Sequence, residues 1–202
     1  MSHETELKLR LSPDDHDRII AAPCLSCHPR VTLQLTNTYY DTPDHDLNNA
    51  RVALRIREKN GNYIQTLKTK GESVGGLSRR GEWEWYLDEP QLDLQKLNDV
   101  WPESLANLDK TLLQPVFRTD FRRQMVDIIW EGAEIEVALD LGDVIAGDKT
   151  SFISELELEL KKGDEEALFS LAKELGTLAP LTPCDISKAE QGYRLADENC
   201  DK

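Results

Sequence analysis

No stretch of this chain stays apolar for the roughly 20 residues that a membrane-spanning helix needs. Its first residues lack the basic and apolar regions of a secretory signal. These two absences lead to the expectation of a cytoplasmic protein. Basic residues are scarce: 24 Lys and Arg stand against 38 Asp and Glu, a net charge of -14. Such a field repels nucleic acid and anionic membrane surfaces unless the bases are gathered in one place, so neither is expected as a partner. It is compatible with a site that takes up divalent cations. Cysteine is sparse, and Cys24, Cys27, Cys184 and Cys200 read as reduced thiols in that compartment. Cys24-Leu25-Ser26-Cys27-His28 has the spacing of a c-type haem attachment, but neither the export it requires nor a clear axial partner is present. Chance explains it better, and a zinc site on Cys184 is only slightly stronger. Internal repeats and low-complexity tracts are missing as well.

What is present suits one domain spanning residues 1–202, with 39% hydrophobic residues for a core and 31% charged residues to place. Ser12, Pro13, Asp14 and Asp15 read as a helix start, ending near Pro23. Val31 to Tyr40 reads as a strand. Arg51 to Glu58 and Tyr63 to Lys70 flank Asn60-Gly61, a strong hairpin signal. Gly71 to Gly76 is expected as a flexible loop, Arg79 to Leu87 as a strand, and Pro90 to Leu113 as helices with loops. Strands are expected at Val116 to Trp130, Glu134 to Leu141 and Phe152 to Lys161. Helices follow at Asp164 to Leu175 and Ser187 to Asn199. The class is α+β, with antiparallel strands and peripheral helices.

The strands share one feature. Glu4, Glu6 and Lys8 alternate with Thr5, Leu7 and Leu9; Arg55 and Arg57 alternate with Leu54 and Ile56. Lys68 and Lys70 lie on the face opposite Leu67. Arg80, Glu82 and Glu84 alternate with Trp83 and Trp85, and Glu134, Glu136 and Asp140 with Ile135, Val137 and Leu139. Glu155, Glu157 and Glu159 alternate with Leu156 and Leu158. An ordinary sandwich with wet polar faces would give alternation. It would not favour whole strands of one sign, because like charges in register repel. The alternative is a closed barrel, apolar outward beneath helices at 12–22, 92–107 and 164–175 and charged inward. Segregated carboxylates and guanidinium groups in such a lumen need counter-ions of both kinds. Carboxylates suit hard divalent ions and Arg and Lys suit phosphate, so charge matching predicts a metal–polyphosphate complex.

Together these residues resemble the CYTH family, the triphosphate tunnel metalloenzymes. Glu4-Thr5-Glu6-Leu7-Lys8 matches its ExExK signature. Tyr39-Tyr40-Asp41-Thr42-Pro43, Leu54-Arg55-Ile56-Arg57, Leu67-Lys68, Pro115 through Arg123, Ala138 through Gly142 and Glu155 through Glu159 follow in family order. Ser187-Lys188-Ala189 and Gly192-Tyr193 complete the set. Gly75-Gly76-Leu77 and Phe117 through Arg123 look most like the bacterial inorganic triphosphatase branch. Many members of that branch carry a C-terminal helical CHAD domain, which these 202 residues do not contain.

The resemblance implies an eight-stranded antiparallel tunnel and hydrolysis of tripolyphosphate to pyrophosphate and phosphate with Mg²⁺ or Mn²⁺. It implies metal ligation by Glu4, Glu6, Glu155 and Glu157, then Glu159 and Asp140. Phosphate would be clamped by Arg55, Arg57, Lys68, Arg123 and Lys188, with Arg80 in the same role. Lys8 would touch substrate and, with Glu4 and Glu6, form the catalytic set. Glu82 and Glu84 would orient other groups, Arg118 and Arg122 have surface parity, and Lys70 has no firm role. Open alternatives are a class IV adenylate cyclase, a thiamine or nucleoside triphosphatase, and a non-catalytic polyphosphate binder. The expected partner is a small triphosphate, bound by a monomer or homodimer.

Overall fold

A computed structural model describes residues 2–197. Cys200 and the end of the helix expected to reach Asn199 lie outside the described residues. Ten strands occur in chain order: β1 (Ser2–Arg10), β2 (Arg30–Asp41), β3 (Ala53–Lys59), β4 (Asn62–Lys68), β5 (Glu72–Val74), β6 (Leu77–Leu87), β7 (Gln114–Trp130), β8 (Ala133–Ala146), β9 (Lys149–Lys162) and β10 (Thr182–Pro183). The helices are α1 (His16–Ile20), α2 (Pro23–Ser26), α3 (Asp46–Asn49), α4 (Glu166–Leu175) and α5 (Lys188–Asp197). Among the described residues no helix is long and apolar enough to cross a membrane.

Eight strands close a barrel in the order β1-β9-β8-β7-β2-β3-β4-β6, with β6 returning to β1 and every neighbouring pair antiparallel. The closing seam pairs Glu4 with Arg80 and Leu7 with Leu77. This closure excludes the sandwich. Two tight hairpins set register. Asn60 and Gly61 have φ of 51° and 76°, and Glu131 and Gly132 have φ of 49° and 84°, the left-handed pair that a primed two-residue turn requires.

Alternation along each strand then sorts side chains by face. Leu7, Leu9, Ile135, Val137, Leu139, Leu156 and Leu158 point outward and are covered by α1, α2 and α4 through Ile19, Leu25, Leu168 and Leu171. On the opposite outer wall Leu54, Leu67, Trp83 and Trp85 lie beneath residues 92–113, including Leu97 and Leu105. That covering segment corrects the sequence expectation. Instead of α-helices it forms bends and two short 3₁₀ turns, Glu103–Leu105 and Lys110–Leu112. The Asp93 carboxylate accepts from the backbone N–H groups of Gln95 and Lys96, and Gln65 of β4 grips the Asp93 backbone at 2.9 and 3.1 Å. Such side-chain bonds satisfy the backbone without a helix.

Smaller departures have similar causes. The helix expected over residues 12–23 is divided into a 3₁₀ turn and α1, with Pro23 opening α2. Residues 71–76 hold the short β5 and are tied down by Asp185, which accepts from Ser73 Oγ at 2.8 Å and Gly76 N at 2.9 Å.

The barrel interior is not charged throughout. Toward one end it is apolar, with Leu33, Leu35, Phe117, Phe121, Val144 and Ile153 packed against Tyr193 of α5. Gly192 lies so close to Phe117 that an added Cβ would meet the ring at 2.0 Å. Helix α5 therefore closes this end rather than covering the exterior.

Candidate active site

The charged part of the interior is a cavity of about 230 Å³. A second cavity of about 570 Å³ shares Glu6, Lys8, Lys68 and Arg80 with it. Glu4, Glu6 and Lys8 enter the first from β1, Arg55 and Arg57 from β3, and Lys68 from β4. Arg80 comes from β6, Arg123 from β7, Glu157 and Glu159 from β9, and Lys188 from α5. Asp140 and Glu155 belong to the same ionic network but are 0% and 1% exposed, behind Lys188 and Arg123. Arg118 and Arg122 are exposed, and so is Lys70, beyond the end of β4.

Two ionic clusters face each other. In the first, Lys68 Nζ donates to both oxygens of Glu4 at 2.8 Å and lies 3.2 Å from Glu82. Arg80 bridges Glu4 at 3.1 Å and Glu6 at 3.0 Å. Burial raises the Glu4 pKa, but Lys68 and Arg80 outweigh it and hold the carboxyl well below the usual carboxylate range. Glu6 shifts the other way. Burial, then Glu157 and Glu4, raise its pKa against the pull of Arg80.

In the second cluster, Lys188 Nζ lies 2.7 Å from Asp140 Oδ2, 2.6 Å from Glu155 Oε2 and 2.7 Å from Glu157 Oε1. Arg123 grips Asp140 in a two-pronged contact at 2.7 and 2.6 Å and also donates to Glu157. Burial lowers the Lys188 pKa, but the three carboxylates carry it well above the usual lysine value. Burial likewise raises the Glu157 pKa, and Lys188 with Arg123 pull it well below.

Other cations are less fully partnered. Among the described residues neither Lys8 nor Arg57 makes an ion pair, although Lys8 is 5% exposed and both line the cavity. Arg57 Nε donates to Asn37 Oδ1 at 2.8 Å, and burial with Arg55 and Arg123 pushes its pKa down to about 9. Arg55 reaches Glu82 only at 3.9 Å, and its Nε is buried without a hydrogen-bond partner. Arg57 thus faces the lumen with no carboxylate bound to it, and Lys8 lies in register with Glu157 of β9 without an ion pair to it.

The donor set fits a hard divalent cation. Asp140, Glu155 and Glu157 offer oxygens within 4.8 Å of one another, already gathered around an ammonium as a stand-in cation. The raised Glu6 carboxyl beside Glu157 marks a place where more positive charge is wanted.

Sequence reasoning missed part of the lining. Lys59 and Lys161 continue the inward ladders of Arg55-Arg57 and Glu157-Glu159, a parity that was available to find them. Tyr39, Leu33, Leu35 and Met125 line the wall with no charge to signal it.

The family model of the CYTH domain matches residues 2–193. An inorganic triphosphatase of Haemophilus influenzae is 37% identical over 202 residues, covering 98% of this chain and 56% of the relative. The chain thus spans little more than half the length of that relative. Among solved structures, the Hippeastrum adenylyl cyclase candidate HpAC1, which has a dominant triphosphatase activity, superposes with a TM-score of 0.69 at 24% identity, over 95% of each chain. A protein of Pyrococcus horikoshii gives a TM-score of 0.61 at 20% identity, over 95% of this chain and 98% of its own. At these identities the structural matches establish the tunnel fold.

Proposed function

The chain belongs to the CYTH domain family, and from that premise we propose that it hydrolyses inorganic triphosphate to pyrophosphate and phosphate inside the tunnel, with Mg²⁺ or Mn²⁺. One observation carries the reading. Among the described residues Lys8 and Arg57 line an enclosed lumen without ion pairs of their own, Arg55 meets Glu82 only at 3.9 Å, and Glu6, Glu157 and Glu159 line the same lumen. A short linear polyanion accompanied by cations satisfies charges of both signs at once. The likeness to the Haemophilus triphosphatase supports the same activity.

Arg55 and Arg57 are placed to hold phosphate oxygens through planar, charge-assisted hydrogen bonds. Lys8, in register with Glu157 on the neighbouring strand, adds a compact charge beside the carboxylates. Positioning the phosphate chain in line with a water, and stabilising charge as the anhydride P–O bond breaks, is most of what phosphoryl transfer asks of a protein. A divalent cation held by Glu4, Glu6, Asp140, Glu155, Glu157 or Glu159 supplies further charge neutralisation and Lewis acidity when bound. Glu82 and Glu84 hold the clamp: Glu82 contacts Lys68 and Arg55, and Glu84 accepts from Thr66 at 3.2 Å.

The test is phosphate release from tripolyphosphate with Mg²⁺ or Mn²⁺, run beside ATP and thiamine triphosphate. Tripolyphosphate is expected to turn over fastest. Faster cleavage of an organic triphosphate, formation of cyclic AMP, or binding without turnover would each replace the proposal with a different one.

A further inference from the structure

We infer that Lys188 is a tethered competitor for the divalent cation, so that a docked first turn of α5 and a metal-loaded Asp140–Glu155–Glu157 trio exclude one another. The inference rests on the metal assignment proposed above and adds an occupant that the free protein itself supplies.

The geometry is saturated. Lys188 Nζ donates to Glu155 Oε2 at 2.6 Å and Glu157 Oε1 at 2.7 Å, and forms a third ion pair with Asp140 Oδ2 at 2.7 Å. The other oxygens of the trio are taken too. Asp140 Oδ1 accepts from Arg123 Nε at 2.7 Å, Glu155 Oε1 from Gln191 Nε2 at 3.0 Å, and Glu157 Oε2 from Arg123. No oxygen of the trio is spare. A divalent ion needs several oxygens at close to 2.1 Å, so it cannot occupy the space between the three carboxylates while an ammonium fills it.

One donor must leave, and the two candidates differ. Arg123 is fixed in the middle of β7, paired to Leu33 on one side and Asp140 on the other. Lys188 is the first residue of α5, on a flexible four-carbon stem, following residues 184–187 that belong to no helix or strand. The far half of α5 has an independent anchor, Tyr193 Oη donating to Asp41 at 2.8 Å. Withdrawal therefore needs only the first turn to shift. The released ammonium already borders the cavity and is free to turn toward phosphate, so metal loading would arm a substrate-binding cation.

The experiment uses metal alone. Calorimetric titration with Mn²⁺ or Mg²⁺ is compared for the unaltered chain, Lys188→Met and Lys161→Met. Lys161 pairs with Glu159 at 2.8 Å and Glu136 at 3.5 Å, so its loss removes one lumen charge without touching the trio. Lys188→Met is expected to bind about tenfold more tightly, as for a competing form held in roughly nine molecules of ten, and Lys161→Met is expected to gain clearly less. In the unaltered chain, hydrogen exchange at the amides of residues 188–191 should accelerate when metal is added. Equal gains in the two variants, or exchange that is unchanged or slowed by metal, would overturn the inference. Should Lys188→Met not fold, the exchange measurement decides alone. A chain that turns over tripolyphosphate yet fails both tests keeps its proposed function and loses only the competitor. A chain that binds no divalent ion loses the competitor and the metal assignment together.

Discussion

Glu6 lies between the two ionic clusters, with Arg80 on one side and Glu157 on the other, and its carboxyl resists ionisation. Glu6→Gln keeps the shape and removes the charge. The variant should fold with unchanged or improved urea stability, since an under-neutralised buried carboxylate is relieved. Its tripolyphosphate turnover should fall about 100-fold or more, as for loss of a group acting on transition-state charge. Full retained turnover would remove Glu6 from the site. Arg57 has the reverse profile: it has no carboxylate to abandon, so Arg57→Ala should cost little stability. It should weaken tripolyphosphate binding by about 1.5–3 kcal/mol, the net worth of hydrogen bonds to a charged group, visible as a roughly 10- to 150-fold rise in KM. His16 makes a different kind of test. It is 3% exposed, with Nε2 2.9 Å from Ser154 Oγ, whose own proton goes to Leu11 O at 2.7 Å. Burial, then Arg122, hold its pKa below 6.5. The unfolded chain thus protonates first on acidification, so this contribution to stability is whole above pH 6.5 and declines as the pH falls. His16→Gln should flatten part of the fall in urea midpoint between pH 7.5 and roughly 5.5, a window set by the ordinary histidine value. An unchanged slope would mean that other groups govern that range.

At the scale of elements, Asp41 joins the end of β2 to α3 and α5. Its carboxylate accepts from Thr42 N at 2.7 Å, from Leu47 N and Asn48 N at 2.9 Å, and from Tyr193 Oη at 2.8 Å, all with Asp41 fully buried. Asp41→Ala should destabilise the fold by about 2–5 kcal/mol, because several buried donors lose their acceptor together. Urea unfolding checks this, and a loss below 1 kcal/mol, the usual worth of one neutral hydrogen bond, would show that the network relaxes elsewhere. The part played by Asp41 could not be seen in the sequence, where Tyr39-Tyr40-Asp41-Thr42-Pro43 reads as a strand end and a family motif but gives no hint of what the carboxylate binds. The barrel was legible for a definite reason: β1, β3, β6 and β9 place charges at every second residue, and a period of two assigns them all to one face. The same rule was silent for β2, whose inward Leu33, Leu35 and Tyr39 look like any core-facing strand. Helix α5 was expected, but its position was not. A helix with one apolar side packs equally well inside a barrel or outside it, and only the space left by Phe117 beside Gly192 settles the matter. Within the site, parity found the inward charges. It could not tell which cations are held by carboxylates, as Lys188 is, and which are left unmatched, as Arg57 is.

For the molecule as a whole, the net charge of -14 and the closed lumen together set how ligand and stability are linked. A ligand that binds only the closed barrel stabilises it by mass action, about 2.7 kcal/mol at a hundredfold excess over Kd. For a chain of this size about 2–4 °C accompanies each kcal/mol, so saturating tripolyphosphate with Mg²⁺ should raise Tm by roughly 5–10 °C. The two components should not act alone to the same extent. Tripolyphosphate without metal meets a lumen where most bases are already held by carboxylates, leaving Lys8 and Arg57 to offset only part of its charge. Metal without tripolyphosphate neutralises carboxylates but leaves those cations without an anion. The rise with both present should therefore exceed the sum of the two separate rises, a coupling that an open, wet-faced sheet would not show because exposed charges are screened by salt. Thermal unfolding in four mixtures (buffer, Mg²⁺, tripolyphosphate, and both) measures it directly. Additive shifts, or a full shift with tripolyphosphate alone, would mean that cations and polyanion do not share one enclosed space.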